Sequence, residues 1–364
     1  MRIIMSLKKI AELAGTSVAT VSRVLNNPSH HCHDKNLEEK IWQIAAKLHY
    51  TPNCYAQNLR KGTSEAKTPY TVDIYLTRFD SMEEDPFFME LFQCIKKELL
   101  ENGCVLGEFL YGADIMALGQ EPESFVHVPF KSASNIQKDQ KKNPLSLISQ
   151  KKNTGLIILG KCSASFIPIL KKRYHCIAGI DRNPTDYEYD EVICNGATAA
   201  EKAMEYLLSL GHRKIAYIGD CTYESRYIGY YRTLLEHNIP LKHSNVYPTN
   251  QTTEAGFSTT KTILQNPDRP TAIFCANDST ALGVIKALHS NKKGDYNPSV
   301  ISIDNIKESE NTNPMLTTIH IPKQEMGHLA LSLLLDRKNG KHRENIRIEL
   351  PCRLMERESC YLCR

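Results

Sequence analysis

From Tyr70 onward the chain repeats one pattern: a short apolar run, then a longer stretch with helical periodicity. The strand candidates are Val72–Leu76, Gly155–Leu159, Cys176–Ile180, Lys214–Ile218, Ala272–Cys275 and Val300–Ile303. The helix candidates between and after them are Phe87–Asn102, Ala197–Leu210, Tyr227–His237, Ala255–Gln265, Ser279–Leu288 and Lys323–Arg337. Parallel strands need a crossover of a dozen or more residues, usually a helix. Strands alternating with helices therefore point to βαβ units and helix-covered parallel sheets, and the length of the repetition favours two such layers side by side. Residues 112–153 break the pattern. They are polar and Lys-rich, especially Lys131–Lys152, and are expected to form an extended surface loop.

The segment before Tyr70 has a different texture. Leu7, Ile10, Ala11 and Ala14 fall at helical spacing and stop at Gly15. Val18, Val21, Val24 and Leu25 repeat the pattern, and Leu37, Ile41, Ile44, Ala45 and Leu48 make a third, with Ser6 and Ser17 as N-cap candidates for the first two helices. A weaker helical stretch runs from Asn53 to Leu59, and Arg60–Pro69 reads as a linker. Charge follows the same division. Residues 1–70 hold 10 Lys+Arg against 5 Asp+Glu, whereas the remaining 294 residues hold 35 against 36. A small cationic module on a near-neutral body suggests a polyanionic partner.

Two short helices joined by a turn at Gly15 have the geometry of a helix-turn-helix, whose second helix enters the DNA major groove. In that helix Ser17, Thr20, Ser22, Arg23 and Asn26 are polar, whereas Val21 and Leu25 face the core. Arg23 can fork onto guanine O6 and N7, and hydroxyls and Asn can hold phosphates or adenine. The competing reading is a solvated helix face without a ligand.

No apolar run approaches the about 20 residues of a membrane span, and the N-terminus lacks the apolar stretch of a signal peptide. A cytoplasmic address is expected, with the 12 Cys as thiols. His30, His31, Cys32 and His33 are consecutive, so they cannot easily converge on one tetrahedral ion, and no metal is expected. Cys360-x-x-Cys363 is expected to be a fraying tail. G-x-x-x-x-G-K-[ST], H-E-x-x-H and G-x-S-x-G are all missing, which argues against the corresponding enzymes.

Open α/β sheets bind ligands beyond the carboxyl ends of their strands. Polar residues just after the strand candidates are therefore ligand-binding candidates: Asp181, Asn277, Asp278 and Asp304, together with Arg226 at the head of a helix. A strand-end Asp is also commonly an N-cap or turn former. Asp85, Phe87 and Phe88 sit where the first loop enters its helix, where an aromatic ring could stack on a sugar or simply pack.

The run from Ser6 to Asn26, SLKKIAELAGTSVATVSRVLN, resembles the DNA-binding signature of the lactose/galactose-repressor (LacI/GalR) family, and Tyr50-x-Pro52-Asn53 and Ala56-x-x-Leu59 continue the likeness. The segment from Pro28 to Asn36 is longer than the common pattern. Gly211–Gly219, Arg226-x-x-Gly229-Tyr230, Ala276-Asn277-Asp278 with Ala281-Leu282-Gly283, Leu316–Thr318 and Arg357–Ser359 resemble the family's core motifs in order.

The resemblance implies an N-terminal all-α helix-turn-helix domain plus an α/β periplasmic-binding-protein-like core of two parallel-sheet subdomains. The expected boundaries are residues 1–62 with a hinge helix at 53–60, a linker at 63–69, and a core at 70–364. Its N-subdomain is expected at 70–181 and 320–347, and its C-subdomain at 182–319 and 348–364. By resemblance Val18 and Ala19 read bases, Ser17, Thr20, Ser22, Arg23 and Asn26 contact DNA or its backbone, Asn53 and Ala56 belong to the DNA-binding set, and Leu59 wedges into a minor-groove step. Arg226, Asn277 and Asp304 match effector-contacting positions, with Asp181, Asp278 and Phe87 as weaker candidates. The implied protein is a non-enzymatic, cofactor-free homodimer that represses carbohydrate-utilisation genes at a pseudo-palindromic operator under control of a small sugar. Purine- or phosphoprotein-responsive control is the alternative within the family. A solute-binding receptor is the alternative outside it, disfavoured by residues 1–60 and the missing signal sequence.

Overall fold

The computed structural model describes residues 7–26, 37, 40–41, 44, 69–77, 85–112, 114–115, 151, 153–222, 224–291 and 296–363. The chain divides into two compact units, Met1–Thr68 and Pro69–Arg364.

In the first unit, α1 (Leu7–Ala14) and α2 (Val18–Asn26) form a helical pair. Gly15 adopts φ 71°, a left-handed conformation that glycine enters at little cost. It ends α1 in a Schellman motif: the Thr16 amide donates to the Ala11 carbonyl at 3.0 Å and the Gly15 amide to that of Glu12 at 3.3 Å. Ser17 then starts α2, its hydroxyl accepting from the Thr20 amide at 3.1 Å. Ile10, Ala11, Ala14, Val21, Val24, Leu25 and Ile41 form the core, with Leu37 and Ile44 packed against it. The weaker helical stretch at Asn53–Leu59 and the His30–His33 cluster lie outside the described residues.

The second unit is built on two six-stranded sheets. Its strands are β1 (Thr71–Leu76), β2 (Val105–Leu110), β3 (Thr154–Leu159), β4 (Cys176–Asp181), β5 (Asp190–Ile193), β6 (Ile215–Gly219), β7 (Val246–Pro248), β8 (Ala272–Cys275), β9 (Ser299–Asp304), β10 (Thr317–His320), β11 (Arg347–Glu349) and β12 (Arg353–Met355). The helices are α3 (Pro86–Glu101), α4 (Ile167–Arg173), α5 (Gly196–Ser209), α6 (Ser225–Glu236), α7 (Thr253–Gln265), α8 (Asp278–Ser290) and α9 (Lys323–Lys338). One sheet runs β11-β5-β4-β3-β1-β2, all parallel. The other runs β12-β10-β9-β8-β6-β7 and is parallel except for the β10–β12 edge. The chain passes between the sheets three times: after β5, between β10 and α9, and between β11 and β12.

Three features differ from the sequence reading. β5 belongs to the first sheet, so that lobe extends past residue 181 to Ile193. It escapes an apolar-run search because Asp190 and Glu191 are buried acids, each neutralised by an arginine. Arg337 grips Asp190 through two bonds of 2.6 and 2.7 Å, and Arg347 reaches Glu191 at 2.6 Å. The segment at residues 112–153 is preceded by β2, which the apolar-run search also missed because most of its positions are only half-buried. Finally, the tail does not fray. The Val300 amide donates to the Ser359 carbonyl at 2.7 Å, the Tyr361 amide to the Ser299 hydroxyl at 3.0 Å, and the Cys363 amide to the Leu210 carbonyl at 2.8 Å. Backbone bonding to β9 and to the end of α5 holds Cys360-x-x-Cys363 in place.

Two motif glycines set the helix packing of the second lobe. A Cβ on Gly229 would lie 2.3 Å from the Ala197 carbonyl oxygen, and one on Gly283 would lie 2.0 Å from that of Thr253. Both obstacles are backbone atoms, which cannot turn aside. Gly229→Ala and Gly283→Ala should each lower stability by about 1–3 kcal/mol, read as a lower midpoint in thermal or urea unfolding. An unchanged midpoint would mean that the α5–α6 or α7–α8 pair has slack.

Candidate functional site

In the first unit the face of α2 and its preceding turn is laid out by the helix period. Val21, Val24 and Leu25 are buried, while Ser17, Val18, Ala19 and Arg23 are exposed and Thr20 is half-buried. Val18 is 44% exposed and is not among the residues of the helical core. The Ser17 and Thr20 hydroxyls are 2.9 Å apart, and Arg23 Nε donates to the Ala19 carbonyl at 3.3 Å. That bond lays the arginine along the helix, and among the described residues its terminal nitrogens have no hydrogen-bond partner. Ser22 and Asn26 lie on the same helix. Asn53, Ala56 and Leu59 lie outside the described residues.

In the second unit the strand ends of the two sheets meet in a buried polar cluster. Arg182, one residue past the candidate Asp181 at the end of β4, forms an ion pair with Asp304 at the end of β9, and both are almost fully buried. Burial raises the Asp304 carboxyl above its ordinary value, opposed by the Arg182 and Arg226 guanidinium groups. Lys323, at the head of α9, donates to the Asp304 carbonyl at 2.7 Å and the Asn305 carbonyl at 2.9 Å, and pairs with Glu90 at 3.1 Å. Asp85 caps α3 by accepting from the Phe87 amide at 2.9 Å. The Arg182 guanidinium lies 4.1 Å from the centre of the Phe87 ring. Of the two uses open to this ring, stacking on a sugar or packing, its face is occupied here by a cation, an arrangement favoured by the ring's negative face.

The second half of the cluster surrounds Arg226. Glu224 accepts from its Nε at 2.8 Å and from Nη2 at 2.9 Å, Gln251 Oε1 accepts from Nη2 at 2.9 Å, and the Ala276 carbonyl accepts from Nη1 at 2.6 Å. Burial works to raise the Glu224 carboxyl, but the charge of Arg226 outweighs it and holds it at about 2. Asn277 caps α8, accepting from the Thr280 amide at 3.0 Å, and donates to the Gln251 carbonyl at 3.0 Å. Gln251 therefore bridges Arg226 and Asn277. Asp181 lies beside this cluster, 3.5 Å from Asn183 Nδ2, and burial raises its carboxyl.

Arg226, Asn277, Asp304, Asp181 and Phe87 are thus gathered at the strand ends. Asp278 is used differently: its carboxyl accepts from Ser302 at 2.5 Å, Thr318 at 2.6 Å and the Ile306 amide at 2.8 Å, all inside the second lobe. Arg182, Glu224, Gln251 and Lys323 were missed by sequence reasoning. Arg182 and Glu224 lie one and two residues from candidates and carry charge, a signal that could have found them. Gln251 and Lys323 become neighbours only through the fold. Among the described residues the Arg182 Nε is buried without a hydrogen-bond partner, an unpaired donor within the cluster.

Burial, reinforced by the charge of Asp304, raises the Asp278 carboxyl from 3.8 to about 7. The folded chain then holds a proton that the unfolded chain has released, so stability falls as pH rises between those values. Asp278→Asn cannot ionise. In urea unfolding between about pH 5 and pH 7 the variant should gain on the wild type by up to about 1.4 kcal/mol per pH unit. A gap independent of pH would exclude this titration.

The comparisons agree with this anatomy. Residues 6–53 match the family described as bacterial regulatory proteins, lacI family, and residues 204–360 match a periplasmic binding protein-like domain. The HTH-type transcriptional repressor PurR of Photorhabdus laumondii is 30% identical over 363 residues, which cover 97% of this chain and 96% of that protein. PurR of Mannheimia succiniciproducens is 28% identical, covering 97% of this chain and 98% of that one. In fold, the chain resembles the transcriptional regulator CelR in complex with cellobiose, with a TM-score of 0.65, 22% identity, and coverage of 98% of this chain and 100% of that one. It also resembles the lac repressor dimer bound to operator and the anti-inducer ONPF, with a TM-score of 0.62, 22% identity, and coverage of 98% and 99%. With its helix-turn-helix unit and its two parallel-sheet lobes, this chain belongs to the LacI family of DNA-binding transcriptional repressors.

Proposed function

We propose that this chain is a cytoplasmic, homodimeric repressor without catalytic activity, which grips a pseudo-palindromic operator and is controlled by a small sugar bound at the strand ends of the core. The observation that carries the reading is the buried cluster of Arg182, Asp304, Arg226, Glu224 and Asn277, which joins residues of both lobes and, among the described residues, leaves the Arg182 Nε without a partner. Charged planar groups at strand ends suit bidentate hydrogen bonding to vicinal hydroxyls. The proposed division is DNA binding by residues 1–62, a linker at 63–69 and effector binding by 70–364. Ser17, Val18, Ala19, Thr20, Ser22, Arg23 and Asn26 meet DNA, aided by Asn53, Ala56 and Leu59.

Control follows from linkage. A ligand that binds one arrangement of the lobes better than the other shifts their balance, and in a two-fold dimer that shift alters the spacing of two recognition helices. A second reading, a planar nucleobase effector, is favoured by the stacking of the flat Arg182 group on Phe87, a place that a planar ring could take. Thermal-shift titration with mono- and disaccharides and with purine bases separates the two. Sugars alone should raise the midpoint, purines alone would establish the second reading, and no shift with either would sink both.

Two substitutions test the division of labour. Arg23→Ala should weaken binding to an operator selected from random duplexes by about 1–3 kcal/mol and leave binding to bulk duplex nearly unchanged. Equal losses would remove its base-reading role. Arg226→Ala should keep operator binding and lose the ligand-dependent change; a retained response would move the effector elsewhere.

A further inference from the structure

Two of the three passages between the lobes carry a cysteine at the crossing itself. Cys194 follows β5 directly, and Cys352 lies between β11 and β12. The crossings run side by side: Glu349 pairs with Ile193 across β11 and β5, and the Leu350 amide donates to the Ile193 carbonyl at 2.8 Å. Both residues are buried in the same core cluster, near enough for each thiol to shift the other's protonation. A cavity of about 390 Å³ reaches Cys352 and is lined also by Asn195, Thr198, Lys202 and Glu349. This is a thiol pair with an entry path and a neighbouring cation, at two of the crossings that join the lobes.

We propose that Cys194 and Cys352 form a redox modification site, in which a small hydroperoxide converts the pair to a disulfide that ties two interlobe crossings together. The Cys352 sulfur attacks a peroxide oxygen. The O–O bond breaks, the alcohol or water leaves with a proton, and Cys352 becomes a sulfenic acid. The Cys194 sulfur then attacks that sulfur, the S–S bond forms, the S–O bond breaks, and water leaves with the Cys194 proton. The two thiols lose two electrons and the hydroperoxide gains them.

The order of attack follows from the surroundings. The neighbouring Cys194 thiol and, against burial, the Lys202 ammonium lower the Cys352 thiol, whereas the Cys352 thiol and burial raise Cys194. Burial pushes Cys162 up to about 12 and raises Cys275 well above its ordinary value, which makes them poor nucleophiles. The regulatory meaning of the bond rests on the proposed control by lobe movement, but its formation does not.

The test uses the full-length chain with hydrogen peroxide, followed by acid quench, alkylation and peptide mass spectrometry. A peptide pair joined through Cys194 and Cys352, lighter by two hydrogens and restored by dithiothreitol, should appear before any change at Cys162 or Cys275. Both thiols still open to alkylation when those two are oxidised would overturn the site. In Cys194→Ser, Cys352 should stop as a sulfenic acid captured by dimedone, and in Cys352→Ser, Cys194 should stay reduced; the reverse pattern would overturn the assigned order. Hydrogen exchange of the amides of residues 194–196, Leu350 and Cys352 should slow on oxidation. Unaltered exchange with the bond formed would keep the chemistry and refute the restraint. All readouts are taken without effector or DNA, so they stand or fall apart from the sugar reading.

Discussion

Parallel pairing governs the second unit. A parallel strand cannot return through a tight turn, so each helix carries the chain back to the starting edge of its sheet. All strand ends of one sense then collect on one side, and irregular backbone and polar side chains accumulate there. With two such sheets joined by three crossings, the polar edges meet. The site is thus where the fold leaves space for polar groups, and the apolar interiors of the two sheets determine where that is.

At that junction electrostatics replaces apolar packing. Arg182 from one lobe is held by Asp304 from the other, with Phe87 beneath the guanidinium. Arg226 is closed off by Glu224, Gln251 and a carbonyl. Buried charges are tolerated because each has a partner, and removing one partner alone costs about 3–5 kcal/mol. A ligand entering here must replace these contacts as well as add its own. That requirement favours polar molecules with several acceptors and donors over apolar ones, and it gives the ligand leverage on the relation of the lobes.

The large features were legible because they arise from periodicity. β1, β3, β4, β6, β8 and β9 are apolar runs, and Gly15 marks the turn between two helices of the right spacing. β5 was hidden because its acids are neutralised by Arg337 and Arg347, more than a hundred residues away in sequence. β11 and β12, with three residues each, are too short to stand out from loops, and β10 reads TTIH, with only one apolar residue. At the site, Arg226, Asn277 and Asp304 could be placed by strand-end position and by family resemblance. The lysine that caps the Asp304 carbonyl comes from the head of α9, and no local pattern connects the two. Phe87 was visible as an aromatic residue at a helix start, but its cover by Arg182 follows only from tertiary structure.

The final stretch of the chain has a consequence for biosynthesis. β11 completes the first sheet, β12 and the segment from Ser359 to Cys363 complete the second, and all of these lie after residue 346. Neither lobe can close its edge while the ribosome still holds that stretch, although the helix-turn-helix unit draws its core from residues 10–44 and has emerged long before. A nascent chain is therefore expected to present a nearly finished DNA-binding head on an unfinished receptor, and premature termination would release a head without its control.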